Sequence, residues 1–338
     1  MALVLLISSC EEQKPRLYTI SAPAGNMYTA VNRDGVTVIP NGRLLTPAGK
    51  QIVVAPHPFG LALSNDGNIA VTANSGTSPL SISVIRNPGG NAEVLQIPEG
   101  YNTDKGVLES VFMGLAITPD NNKVYVAGGQ ANRIFIFDLT TWIKLNSIDC
   151  SKSEDGTAWL DGYIGDMTMT KDGNWLFAVD QMNFRLAVID TRKLKVVRSV
   201  ATGRYPFGIV LTPDEKKLYV ANVGVFSYSK IGNIEKDKDI KGALDFPAFA
   251  YGSEEMKNGS KNDSLNIPGL GDPNSDMAFS VWAVSLSNVA DPQVVAKIKT
   301  GNLIGEPVEG IPAVGGSSPN SFAVTDKYVF ISNGNNDN

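Results

Sequence analysis

Residues Arg204–Asn222, RYPFGIVLTPDEKKLYVAN, nearly rewrite Pro56–Asn74, PHPFGLALSNDGNIAVTAN. Each reads as an opening turn with glycine, an apolar run, an aspartate turn, a second apolar run and a closing asparagine. Aligning on the closing residue gives five copies, ending at Asn74, Gly128, Asp180, Asn222 and Asn333. The first four have an aspartate eight residues earlier: Asp66, Asp120, Asp172 and Asp214. The intervals are 54, 52, 42 and 111 residues. A period in the forties to fifties, with four strand-like runs per unit, predicts the blades of a β-propeller.

The strands of a unit, a to d, can be read directly. In the second unit they are Gly114–Thr118, Val124–Ala127, Arg133–Asp138 (RIFIFD) and Lys144–Ile148. The third repeats RIFIFD as RLAVID, Arg185–Asp190, and continues with Lys195–Val200. β-Branched and aromatic residues fill the runs, and Gly, Asp, Asn and Pro fill the gaps. No segment sustains a helical period, so the class is all-β. Residues 223–279 are rich in Lys, Asp, Asn, Gly and Pro and show no strand pattern until SVWAVS, Ser280–Ser285. They read as an insertion between strands b and c of the fourth full blade. Half-blades flank the four full ones. Gly35–Leu45 and Lys50–Ala55 are expected to be strands c and d, and the fifth copy supplies a and b. Either the halves close a five-bladed ring or the chain is part of a larger propeller; the second is the expectation, because both ends fall within a repeat.

Composition narrows the chemistry. The chain has 338 residues, 43% hydrophobic and 19% charged, with a net charge of −5. That balance and the lack of an aromatic-plus-basic strip predict no nucleic-acid partner. One histidine and two cysteines cannot supply a His- or Cys-rich metal site. Carboxylates leave an axial cation open, and no cofactor is required by the sequence. Cys150 reads as a small buried hydrophobe.

In a blade, the a–b and c–d loops share one face and the d–a and b–c loops the other. The aspartate turns are a–b loops with a structural role. The opposite face collects the candidate ligand-binding residues: His57, Glu109, Arg204 and Tyr205 from d–a loops, Asp180 and Asn222 from b–c corners, and Asp166 on an inner strand. Asp166 is expected to bind a cation, pair with Arg204, or serve as a hydrogen-bonded buried group. His57, set between prolines, reads as a turn residue. The insertion leaves from a b–c corner and is expected to cover this face. No catalytic or metal-ligating residue is assigned.

The opening MALVLLISSC resembles a bacterial lipoprotein signal, with Ile7–Cys10 as lipobox and Cys10 as the lipidated residue. No basic residue precedes the apolar run, which places the expected start upstream; the alternative is a buried first strand. Residues 1–10 are then a signal remnant, 11–27 a tether and 28–338 the incomplete propeller. The YVAN-type repeats and PDG-type turns resemble YVTN-repeat, YncE-like propellers. NGRLLTPAGKQIVV, LESVFMGLAITPD, VYVAGGQANRIFIFDL and IPAVGGSSPN are similar to the propeller half of two-part bacterial lipoproteins, in which an alkaline-phosphatase-like domain follows. That resemblance implies seven blades and a cell-envelope location, on the periplasmic face or the outer-membrane surface. The expected function is a non-catalytic ligand-binding or protein-interaction module, its partner a small molecule or protein, attached to membrane by lipid alone. The alternative is an accessory propeller of a phosphoesterase whose catalytic domain lies beyond residue 338. Nucleic-acid binding and a lactonase using Glu109, Asp166 and Asp180 are further readings.

Overall fold

The computed structural model describes residues 20–32, 35–75, 80–98, 108–227, 253–261, 266–313 and 315–334. Cys10 lies outside the described residues. The chain divides into two compact units, Met1–Val53 and Val54–Asn338. Among the described residues no helix is long and apolar enough to cross a membrane.

In the first unit, β1 (Thr37–Val38) pairs antiparallel with β2 (Leu44–Leu45). This corrects the reading of Gly35–Leu45 as one strand. Asn41 and Gly42 turn the chain back: Gly42 takes φ +74°, its N–H donates to Ile39 O, and Arg43 N–H donates to Asn41 Oδ1 at 3.1 Å. A Pro-Asn-Gly run between apolar pairs is a hairpin signal. Lys50–Val54, expected within strand d, forms no strand.

The second unit carries four four-stranded antiparallel sheets, each an up-and-down meander. The first holds β3 (Pro58–Leu63), β4 (Ile69–Asn74), β5 (Ser81–Arg86) and β6 (Glu93–Ile97). The second holds β7 (Leu115–Ile117), β8 (Lys123–Ala127), β9 (Arg133–Asp138) and β10 (Lys144–Asp149). The third holds β11 (Ile164–Met169), β12 (Trp175–Asp180), β13 (Arg185–Asp190) and β14 (Lys195–Ala201). In the fourth, β15 (Pro206–Leu211) and β16 (Lys217–Asn222) join β19 (Ser280–Ser285) and β20 (Gln293–Lys299). Strands β16 and β19 pair over six residues, Lys217↔Ser285 to Asn222↔Ser280, so the chain leaves and re-enters the sheet between them. The intervening segment is not free of regular structure. It contains a helical turn, Glu254–Asn258, and a hairpin of β17 (Gly259–Lys261) and β18 (Asn266–Pro268), whose three-residue strands are too short to show a period. A small hairpin follows, β21 (Pro307–Val308) with β22 (Ile311–Pro312), and then a two-stranded sheet, β23 (Pro319–Val324) with β24 (Val329–Asn333).

Three apolar clusters lie between successive sheets. Val71, Ile82 and Val84 of the first sheet meet Val126, Phe135 and Phe137 of the second. Ile134, Ile136 and Ile148 meet Leu176, Ala178 and Ala187. Phe177, Val179 and Val188 meet Leu218, Val220 and Val284. Both faces of a middle blade are therefore buried, which is why its strands read as continuous apolar runs rather than alternations. Consecutive four-stranded meanders packed face to face are the blades of a β-propeller.

The four aspartate turns are copies in atomic detail. Ser64, Thr118, Thr170 and Thr212 donate their hydroxyls to Asp66, Asp120, Asp172 and Asp214 at 2.5–2.7 Å. Each carboxylate also accepts the N–H two residues on, from Asn68, Asn122, Asn174 and Lys216, at 2.9–3.1 Å. These bonds, led by the hydroxyl, hold all four carboxyls below the usual range.

Near the axis, the inner strands approach each other backbone to backbone. A Cβ on Gly60 would come within 1.8 Å of Met113 O, on Gly114 within 2.5 Å of Gly165 O, and on Gly208 within 2.1 Å of Asn320 O. Only glycine fits where carbonyls stand that close. Gly60→Ala is expected to lower the urea unfolding midpoint by the equivalent of about 2 kcal/mol or more. Gly89→Ala, where a Cβ meets nothing within 4 Å, is expected to change it by less than about 0.5 kcal/mol. Equal effects of the two substitutions would contradict the close approach.

Candidate functional site

The d–a and b–c corners meet where each inner strand begins. Here four blades share a backbone clasp. The carbonyls of His57, Tyr163, Tyr205 and Ser318 accept the N–H groups of Ser75, Gln181, Val223 and Gly334 at 2.9–3.1 Å. His57, Tyr205 and Ser318 all take positive φ, 54°, 51° and 49°, directly before a proline. Pairing then begins at Pro58↔Asn74, Ile164↔Asp180, Pro206↔Asn222 and Pro319↔Asn333, and in every case the register shifts at once. Such a bulge re-aims the next side chains toward the axis.

The sequence-derived candidates separate at this mouth. His57 and Glu109 are exposed. Tyr205 is half-buried, in a clasp position. Asn222 is buried and donates its amide to Ser280 O and Oγ at 3.2 and 3.3 Å, tying strands b and c together. Asp180 is also structural. It is fully buried, its Oδ2 is 2.9 Å from Arg185 Nε, and its Oδ1 accepts the N–H of Tyr163 at 2.9 Å. Arg185 reaches on to Ser199 Oγ and Cys150 O and lies 4.5 Å from the Trp159 ring. The pair therefore staples the second blade to the third. Cys150 is a buried thiol pushed up to about 12 by burial, which makes it an unreactive packing group.

Asp166 and Arg204 do not meet. Asp166 accepts Met167 N–H at 2.9 Å and Ile209 N–H, from the next inner strand, at 3.2 Å. Arg204 turns away from the axis and donates to Val225 O and Asp272 O, at the two ends of the inserted segment. Of the three roles expected for Asp166, that of a hydrogen-bonded group matches these bonds; pairing with Arg204 is not made, because the arginine finds carbonyl acceptors across a sequence gap that spacing does not reveal. Asp166, Glu109 and Asp180 likewise do not share a site, and among the described residues no three His, Cys, Asp or Glu side chains are grouped as a metal would need.

An aromatic cluster, missed as a site by the sequence reading, occupies the mouth. Phe112 lies 5.3 Å from Phe59, 5.1 Å from Tyr163 and 6.2 Å from Phe207, ring centre to ring centre. The rings come from four successive blades and all reach solvent, Phe59 with 55% of its surface. Edge and tilted contacts of this kind are the favoured geometries of aromatic pairs. Buried Gln181, whose main-chain N–H donates to Tyr163 O, has no hydrogen-bond partner for either amide atom, and its side chain sits against Gly165. The signal was present in the repeated PFG, since the shared phenylalanine itself faces the mouth.

No family model matches the chain. Antigen Lp49 of Leptospira interrogans is 27% identical over 127 residues, covering 38% of this chain and 25% of the antigen, so the match spans a quarter of that protein's length. A solved structure of a functionally unknown protein from Desulfotomaculum acetoxidans superposes with a TM-score of 0.50 at 12% identity, covering 86% of this chain and 68% of that one. The periplasmic gluconolactonase of Pseudomonas aeruginosa gives a TM-score of 0.45 at 11% identity, covering 88% and 65%.

Two outcomes follow from Asp180 and Asp166. Asp180→Asn leaves Arg185 charged in the interior without its counter-ion and is expected to destabilise the fold by about 3–5 kcal/mol; a loss under about 1 kcal/mol in urea unfolding would contradict the staple. Burial raises the Asp166 carboxyl to about 6, against the opposing pull of its two N–H partners. The folded protein thus holds this proton more tightly than the unfolded chain. Its contribution to stability is present at low pH and is lost as pH rises through about 6. Asp166→Asn is expected to lack that slope, so the difference between the two proteins' unfolding midpoints should change with pH up to about 6; parallel profiles would count against it.

Proposed function

We propose that the chain is a non-catalytic binding module, a YncE-like β-propeller that takes an apolar or aromatic group of a small ligand or protein segment at its aromatic mouth. The observation that supports this is the prearranged Phe59–Phe112–Tyr163–Phe207 cluster, open to solvent, while Asp180, Asn222 and Arg204 are held in internal hydrogen bonds. Apolar walls are the usual composition of a ligand site. Lipid attachment through Cys10 would place the module at the cell envelope, a part of the reading carried by the opening residues alone; loss of fatty-acid labelling in Cys10→Ser would test it.

Saturation-transfer NMR of the purified chain against aromatic and apolar fragments is expected to return hits. Phe59→Ala and Phe112→Ala are expected to weaken them about tenfold, the worth of a good aromatic contact. Lys123→Ala, at an exposed residue beside an aspartate turn, should leave them unchanged. Absence of hits, hits indifferent to both phenylalanines, or robust turnover of gluconolactone or a phosphomonoester would overturn the proposal.

A further inference from the structure

Behind the mouth, two cations carry an electrostatic imbalance. Arg204 is 5% exposed, and among the described residues its guanidinium is bonded through Nη1 alone, to Val225 O and to Asp272 O at 2.8 Å. Lys299 Nζ donates to the next carbonyls along, Pro273 O at 3.0 Å, Ser275 O at 3.4 Å and Ala278 O at 2.7 Å. Every acceptor is a neutral carbonyl, and neither cation has an ion-pair partner among the described residues. Burial brings the Lys299 ammonium down to about 8, with Arg204 adding to the effect. Asp272 and Asp276 are the nearby negative charges; both are exposed, Asp272 accepting the Asn274 N–H and Asp276 pairing with Lys297 at 3.4 Å.

The bonds Arg204 lacks are informative. Nε is buried with no acceptor, and Nη2 has none among the described residues; it lies against Gly271, where a Cβ would approach within 2.2 Å. Nε–H and Nη2–H form one edge of the planar guanidinium, spaced to match two oxygens of a single anion. A buried Nε–H without an acceptor costs free energy that an anion would return.

The geometry points to an oxyanion site at the Nε/Nη2 edge of Arg204, with Lys299 supplying the second charge: a carboxylate or phosphate group bound side-on beneath Gly271 and Asp272. It stands apart from the aromatic mouth, since Arg204 faces the inserted segment, and either assignment can fail without the other. Occupancy would tie the return of the insertion to the fourth blade.

The test uses the full chain with inorganic phosphate, acetate and chloride at constant ionic strength. The Arg204 Nε–Hε resonance, identified from Arg204→Lys or, should that variant not fold, from its proximity to the Gly271 amide, is expected to shift in a saturable way. Unfolding should move to higher temperature in parallel. A response to phosphate alone assigns a phosphoryl ligand, to acetate alone a carboxylate, and to both a general oxyanion site. Arg204→Lys keeps the charge but loses the fork, and should weaken binding about tenfold or more. No response to phosphate or acetate, or an equal response to chloride, would overturn the site.

Discussion

The structure depends on how closely the inner strands come together. At Gly60, Gly114 and Gly208 the backbone of one blade lies against a carbonyl of the next, so at three junctions the sheets are indexed to each other before any side chain contributes. That approach sets the gap between sheets, and the gap is filled by Val71 against Phe135, Ile136 against Leu176 and Val179 against Leu218. The bulge at the start of each inner strand belongs to the same constraint. It turns the chain so that glycine faces the neighbouring blade while its companion, Phe59 or Phe207, turns to the axis.

Charge is used sparingly and locally. The four turn aspartates are satisfied within their own hairpins, so they shape each turn without linking blades. Asp180 with Arg185, and Asp166 with Ile209 N–H, do the linking, and both lie where side-chain volume is scarce. Arg204 and Lys299 hold the end of the insertion through carbonyls. A carbonyl clamp of this kind is weaker than an ion pair, and it leaves the cations free to respond to an anion.

The sequence made the blades legible because the repeat writes turn chemistry and strand composition together. Ser or Thr two residues before Asp, between two strand-like runs, marks the turn seen four times. The reading failed where a short signal was embedded in a longer apolar run, as with Asn41–Gly42 inside Gly35–Leu45, or where strands were three residues long, as in β17 and β18. Site reading failed for a different reason. Spacing placed Asp166 and Arg204 at one mouth, but the direction of the Arg204 side chain is decided by acceptors at Val225 and Asp272, one of them 68 residues away. The aromatic mouth is hard to read from the repeat because Phe59 and Phe207 lie in the shared PFG, where a residue that builds the blade and one that faces the mouth look alike.

The clasp at the corners carries a wider consequence. At His57, Tyr163, Tyr205 and Ser318 the bond that closes the corner comes from the main-chain carbonyl, whatever the side chain. A histidine, two tyrosines and a serine already occupy equivalent places. The rim can therefore exchange one chemical group for another without reopening the question of how the ring is held, and one scaffold can be fitted to different ligands by changing a single residue per blade.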